Sequence, residues 1–191
     1  MSSKENPKIN ITSFTSINQQ DINNEEPEFL VNHELITSIS QTLTLVLEEN
    51  KKLQNYKQIV KHQSKNSFSA STIPSISLNN YLKRIQGYSN INDSTLVLGL
   101  IYTDRICELA QITLTYYNIH RLLFCAILAS IKYNEDVYYE NSYYAQIAGI
   151  KNKELKQIEY EFLSLINFNL FVHDSLFTKY HKYLHSSNSF K

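Results

Sequence analysis

Two charged residues stand where the chain is otherwise most apolar. Lys132 directly follows residues 122–131, a run whose only polar member is Ser130, and Leu128 and Ala129 lie about one turn behind it. An ammonium there must snorkel to water or find an acceptor, because an unpaired buried charge is very costly. Glu159 sits midway along a later helical segment, beside Ile158. Chemistry alone favours mutual neutralisation of the two inside the fold. Other constellations offer less. His181 and His185 are one helical turn apart, but no glutamate of a zinc-protease helix and no third ligand accompany them, so they read as part of a solvated terminal helix. Asp104 and Arg105 are sequence neighbours, which on a helix point about 100° apart and share no substrate. Glu135, Asp136 and Glu140 suit a divalent cation in type, yet a solvated or partner-facing helix end explains them better. The three glycines, at 87, 99 and 149, cannot build a phosphate-cradling loop. The reading is therefore a non-enzyme with no catalytic, cofactor-binding or metal site.

The elements carrying these residues read as all-α. Residues 1–24 are rich in Asn, Ser, Thr and Ile without a sustained period, the pattern of disorder. Residues 25–60 hold an amphipathic helix, with Phe29, Ile36, Ile39, Leu43, Val46, Leu47 and Leu53 at spacings of three and four. A polar stretch over 57–73, taken as a linker within 61–75, ends at Pro74. Five helices follow over 76–172. Ser77 caps the first, with Leu78, Tyr81, Leu82 and Ile85 inward; Asp93 or Ser94 opens the second, with Leu96, Leu100, Ile101 and Ile106 inward. Asn118 caps the third, whose apolar surface on every side makes it the central helix. Ser142 caps a short fourth helix that stops near Gly149, a residue suited to the left-handed C-terminal position. The fifth runs over 152–167, with Leu155, Ile158, Phe162, Leu165 and Ile166 facing in. Residues 173–191 give a C-terminal helix and tail.

Composition narrows the class. Of 191 residues, 42% are hydrophobic and 19% charged, a globular balance. Lys plus Arg and Asp plus Glu number 18 each, and this neutrality argues against a general nucleic-acid binder. Cys107 and Cys125 both fall in apolar helical patterns and read as reduced core thiols of an intracellular protein, nuclear or cytoplasmic. No apolar stretch is long enough to span a bilayer, and the polar N-terminus is no signal peptide.

Several separated motifs resemble the cyclin box, in particular that of the single-box P/U-type cyclins of fungi, plants and protists. Ile101-Tyr102-Thr103-Asp104-Arg105 resembles the second-helix signature, with Thr103 where an aliphatic residue is usual. Asn118-Ile119-His120-Arg121-Leu122-Leu123 is similar to the opening of the third helix, and Lys132-Tyr133-Asn134-Glu135-Asp136 to its end. Tyr138-Tyr139-Glu140-Asn141 with Tyr144-Ala145 resembles the approach to helix four. Glu154-Leu155, Glu159, Phe162-Leu163 and Ile166-Asn167-Phe168 resemble the fifth helix and its exit. Ala148 departs from the first of two glycines usual there, and Lys151 from a hydroxyl N-cap, leaving the cap to Asn152. The resemblance runs over about 76–172. No arginine near Ser75 matches the substrate-docking patch of mitotic cyclins, and the chain is too short for a second box, which points to the single-box type.

The resemblance implies an all-α cyclin box of five helices around a central third. It also implies a regulatory subunit that forms a heterodimer with a cyclin-dependent protein kinase and activates it, with no nucleic-acid or membrane partner. By similarity Lys132 and Glu159 are charged clamps on backbone groups of the kinase. Leu128, Ala129 and Tyr133 let the helices approach closely, and Asp136 is a rim contact. Asp104 is internal, pairing with Arg84. A cyclin-fold adaptor without a kinase, and a helical metal- or ligand-binding protein using the terminal histidines, remain as the other classes.

Overall fold

Asn32 and Ser77 show how this chain starts its helices. Each side-chain oxygen accepts a backbone amide three residues on, Asn32 Oδ1 from Leu35 at 3.0 Å and Ser77 Oγ from Asn80 at 3.2 Å, satisfying donors that a helix N-terminus leaves open. The computed structural model describes residues 31–186. These form α1 (His33–Lys51), α2 (Tyr56–Gln63), α3 (Leu78–Ser89), α4 (Asp93–Leu109), α5 (Ile119–Asn134), α6 (Asn141–Ala148), α7 (Asn152–Leu165) and α8 (Asp174–Ser186). No strand occurs among the described residues. The disordered segment expected over 1–24 lies outside them, as does Phe29.

Helix α5 is the centre of the fold. Every residue from Leu122 to Ile131 is buried, as a helix apolar on all sides requires. It packs most extensively on α4, and α7 and α6 cover other sides. The close approach of α4 depends on Gly99. A Cβ at that position would lie 2.6 Å from Ile127 Cγ1, closer than packed atoms allow, and a tight 3.2 Å from Ile127 Cα. At the end of α6, Gly149 takes the left-handed conformation (φ 73°) and closes the helix through its amide.

Helix α1 buries Leu35, Ile36, Ile39, Leu43 and Leu47, packing on α3 and α8. Two members of its expected stripe are corrected: Val46 and Leu53 are exposed, because α1 ends at Lys51 and only one narrow face meets the core. The stretch read as a polar linker is also corrected, since it contains α2. No residue of α2 is buried, but just beyond it Phe68 is fully enclosed and Ala70 N–H donates to the Tyr117 carbonyl at 2.8 Å. One aromatic anchor thus ties the connection to the core.

Two expected caps are replaced, and a third, Asn118, holds its N-cap position without making the capping bond. Asn118 precedes α5 in helical geometry, and its side chain serves the preceding turn, accepting from Thr115 N–H at 2.8 Å and donating to the Thr113 carbonyl at 3.0 Å. Glu140, and not Ser142, occupies the N-cap position of α6, while Lys151 stands before α7 with Asn152 already helical. Neither Glu140 nor Lys151 makes a side-chain capping bond. Leu165, expected inward, is exposed at the last turn of α7, and Ile166 takes the core position. Asp104 does not pair with Arg84. It accepts from Tyr180 Oη at 2.7 Å and so fastens α8 to α4, whereas the Arg84 guanidinium lies 5.5 Å over the Tyr81 ring.

Candidate functional site

The last turn of α5, the first residue of α6 and the middle of α7 meet at one point. Lys132 Nζ donates to Glu159 Oε1 at 2.5 Å and to Asn141 Oδ1 at 2.6 Å, and Asn141 Nδ2 donates to Glu159 Oε2 at 2.7 Å. The three side chains close a ring that joins three helices. Both carboxylate oxygens are satisfied, which is how a charge survives near a core. The ring is not sealed, however: the Lys132 side chain is 30% exposed and that of Glu159 12%. An ammonium carries three donors, so Lys132 keeps one beyond these two acceptors. The ring faces a shallow depression of about 490 Å³, also lined by Tyr138, Tyr139, Glu140 and Lys156. Mutual neutralisation and accessibility to a partner therefore coexist.

Around the ring the surface is aromatic. Tyr133, Tyr138 and Tyr160 are exposed, as are Val137 at 77% and Phe168 at 61%. Tyr138 lines the same depression as Lys132, and Tyr133 and Tyr160 are the chain neighbours of Lys132 and Glu159; exposed apolar area so placed suits a contact surface. Asp136 is exposed at the edge. Leu128 and Ala129, at 1% and 3% exposure, are buried in the free chain, where they set the helix spacing. Sequence reasoning did not single out Asn141 as a member of this ring, nor Tyr138 and Tyr160 as exposed aromatic residues near it. Asn141 opens a helix, where Asn is common for local reasons, so its type carried no signal; the aromatic residues beside Lys132 and Glu159 did carry one.

The other chemical candidates resolve into structure. Glu135 accepts from the Asn92 backbone N–H at 2.9 Å and Nδ2 at 2.8 Å, and from the Thr95 hydroxyl, so it caps α4 from across the fold. His181 and His185 pair through their Nε2 atoms at 3.1 Å. Among the described residues no group of three His, Cys, Asp or Glu side chains is placed to hold a metal. Burial pushes the Cys107 thiol up to about 12 and raises Cys125 as well, leaving both as inert, unpaired thiols. No described helix is long and apolar enough to cross a membrane.

The exit of α7 carries backbone strain. Asn167 and Phe168 both adopt left-handed backbone (φ 53° each). Asn tolerates this; a Phe there costs on the order of 1–3 kcal/mol.

The family model described as Cyclin matches residues 32–170. This chain belongs to the cyclin family. Cyclin-U4-2 of Arabidopsis thaliana is 33% identical over 165 residues, covering 86% of this chain and 76% of that protein. Cyclin-U2-1 of the same plant is 40% identical over 116 residues (59% and 51%), and PHO85 cyclin-like protein psl1 of Schizosaccharomyces pombe 40% over 107 residues (55% and 44%). These likenesses make it a P/U-type cyclin, with the regulatory role of that family and its all-α fold. The match begins at residue 32, so α1 and α2 lie within the stretch this cyclin shares with the family, well before the start near 76 that the motifs suggested.

Proposed function

We propose that this cyclin is a non-catalytic subunit that binds and activates a cyclin-dependent protein kinase, docking through the surface around Lys132 and Glu159. The observation that carries the reading is the half-open ring of Lys132, Asn141 and Glu159 set among exposed aromatic residues. A ring of this kind offers charge-assisted hydrogen bonds to backbone groups of a partner, while the aromatic residues supply the apolar area that gives affinity. Binding energy spent on the kinase's mobile regulatory helix holds that helix in the active position and completes the Lys–Glu pair that positions ATP. Tyr133 and Asp136 extend the contact outward. The name of the fission-yeast relative, a PHO85 cyclin-like protein, supports a kinase partner of that kind. Neutral net charge and two free thiols support an intracellular protein-binding role without nucleic acid.

The test is affinity purification of the chain from its native cells and identification of the co-purifying kinase, followed by an activity assay with the two purified components. Kinase activity that appears only in the mixture is expected, and the chain alone is expected to hydrolyse no ATP. Repeated purification without any kinase would favour the cyclin-fold adaptor.

A further inference from the structure

We propose that Arg105 and Tyr102 are positioning residues for docking: they grip the backbone beyond α7 and thereby hold Phe168 out toward the partner. The inference rests on the kinase-docking reading above. At the end of α7, Asn167 N–H donates to the Ser164 carbonyl at 3.0 Å and Phe168 N–H to the Leu163 carbonyl at 2.8 Å. Such bonds close many helices, but glycine normally supplies the left-handed residue. Here a phenylalanine is forced into it (φ 53°), with its ring 61% exposed. An exposed ring returns little packing to offset that strain, so the conformation must be imposed from outside the turn.

Helix α4 imposes it. The Arg105 guanidinium donates to the Asn169 carbonyl and, at 3.0 Å, to the Phe171 carbonyl. Tyr102 Oη donates to the carbonyl between them, that of Leu170, at 2.6 Å. The guanidinium also lies 5.5 Å over the Tyr102 ring, so the two gripping side chains brace one another. Three successive main-chain acceptors are held by one helix, which fixes the path of the chain whatever side chains it carries. Tyr102 is fully buried on α4, the helix that packs most extensively on α5, so the grip is anchored in the core. Strained backbone persists where the surrounding structure over-determines it, and it concentrates at ligand clamps. A preorganised aromatic anchor binds without first losing its own conformational freedom.

A double-mutant cycle tests this, using the cyclin-dependent kinase that co-purifies with the chain, prepared separately and titrated by calorimetry. Phe168→Ala is expected to weaken binding about 30-fold, as loss of an aromatic anchor does. Arg105→Met, which keeps the stem and removes both donors, is expected to cost about tenfold. The double variant is expected to be no weaker than Phe168→Ala, because Arg105 acts through that ring. A merely structural Arg105 would lower thermal stability yet leave the two affinity losses multiplicative, and that result overturns the proposal. Arg105→Lys, which cannot reach two carbonyls at once, serves if the Met variant does not fold; full affinity in it likewise overturns the proposal. Lys132→Ala and Glu159→Ala run in the same titration. If they weaken binding while Arg105 variants do not, only the positioning inference fails. If none of the variants weakens binding, the docking reading fails and takes this inference with it.

Discussion

Lys132 Nζ and Glu159 Oε1 lie 2.5 Å apart across the junction of α5 and α7, and Asn141 is bonded to both. The pair exists in the free chain while remaining partly open to solvent, and this sets the balance between stability and binding. Lys132→Ala is expected to cost about 1–2 kcal/mol of stability, because Glu159, the more enclosed partner, keeps only Asn141. Glu159→Ala is expected to cost less, since the lysine can turn to water. Both should weaken kinase binding far more, by about 2–5 kcal/mol. Melting curves and titrations on the same two variants check this. A melting loss as large as the binding loss would return the pair to a purely structural role.

Asn141 makes a finer probe. Asn141→Asp replaces a donor to Glu159 by a second carboxylate at about the same distance. It should destabilise the chain by about 1–2 kcal/mol at neutral pH, through an unmade bond and like-charge repulsion. The loss should shrink in acid as a carboxyl takes up a proton. Thermal unfolding at pH 7 and pH 4.5 measures both effects, and a pH-independent loss would contradict the geometry.

Gly99→Ala places a methyl group 2.6 Å from Ile127 Cγ1 and 3.2 Å from Ile127 Cα. The second atom is main chain, so a rotamer change at Ile127 cannot relieve it, and α4 must move off α5. Overpacking of this kind typically costs about 1–3 kcal/mol, which outweighs the roughly 1 kcal/mol gain in helix propensity. For a domain of this size that means a drop of a few degrees in melting temperature, roughly 2–4 °C per kcal/mol. An unchanged or raised melting temperature would show that the helices are not in contact there.

Helix α1 buries five apolar side chains, and Asn32 Nδ2 joins it to Asp93 of α4 at 2.6 Å. Deleting residues 1–24 is expected to leave thermal stability nearly unchanged. Deleting 1–60 is expected to lower it by several degrees or to leave the chain insoluble, since the faces of α3 and α8 beneath α1 would open to water. Equal behaviour of the two deletions would mean that α1 contributes nothing to the fold.

His120 supplies the pH dependence. Its Nε2 lies 3.0 Å from the Ile76 carbonyl, and burial foremost lowers its pKa in the folded chain, with Arg84 adding to the effect. A carbonyl cannot donate, so Nε2 carries a proton, and burial disfavours adding a second at Nδ1. The unfolded chain then binds the extra proton first. Stability is complete above the ordinary histidine value of about 6.5 and is lost as pH falls below it toward the folded pKa. Denaturant unfolding of His120→Gln against the parent chain from pH 7.5 to 5 isolates the histidine. The difference between them should change across that range, and a constant difference would remove His120 from the account.

Much of this cyclin could be read along the chain. The run from Leu122 to Ile131, apolar but for Ser130, could only be a central helix, and the stripes at Leu78–Ile85 and Leu96–Ile106 could only face it, because side-chain periodicity and water exclusion are local properties of sequence. Ser77 as a cap and Gly149 as a left-handed stop are local for the same reason. What tertiary structure alone decided were the meetings of distant segments. Glu135 reaches Asn92 to cap α4, Asn141 closes the ring between Lys132 and Glu159, and Phe68 anchors a stretch that looks like a polar linker. Asp104 finds Tyr180, 76 residues away, where sequence suggested Arg84. A polar side chain takes the nearest well-oriented partner that three-dimensional packing presents, and no spacing along the chain records which partner that is. Lys132 and Glu159 stood out in sequence because charge beside apolar runs is costly; that they are both paired and partly exposed depended on how α5, α6 and α7 end against one another.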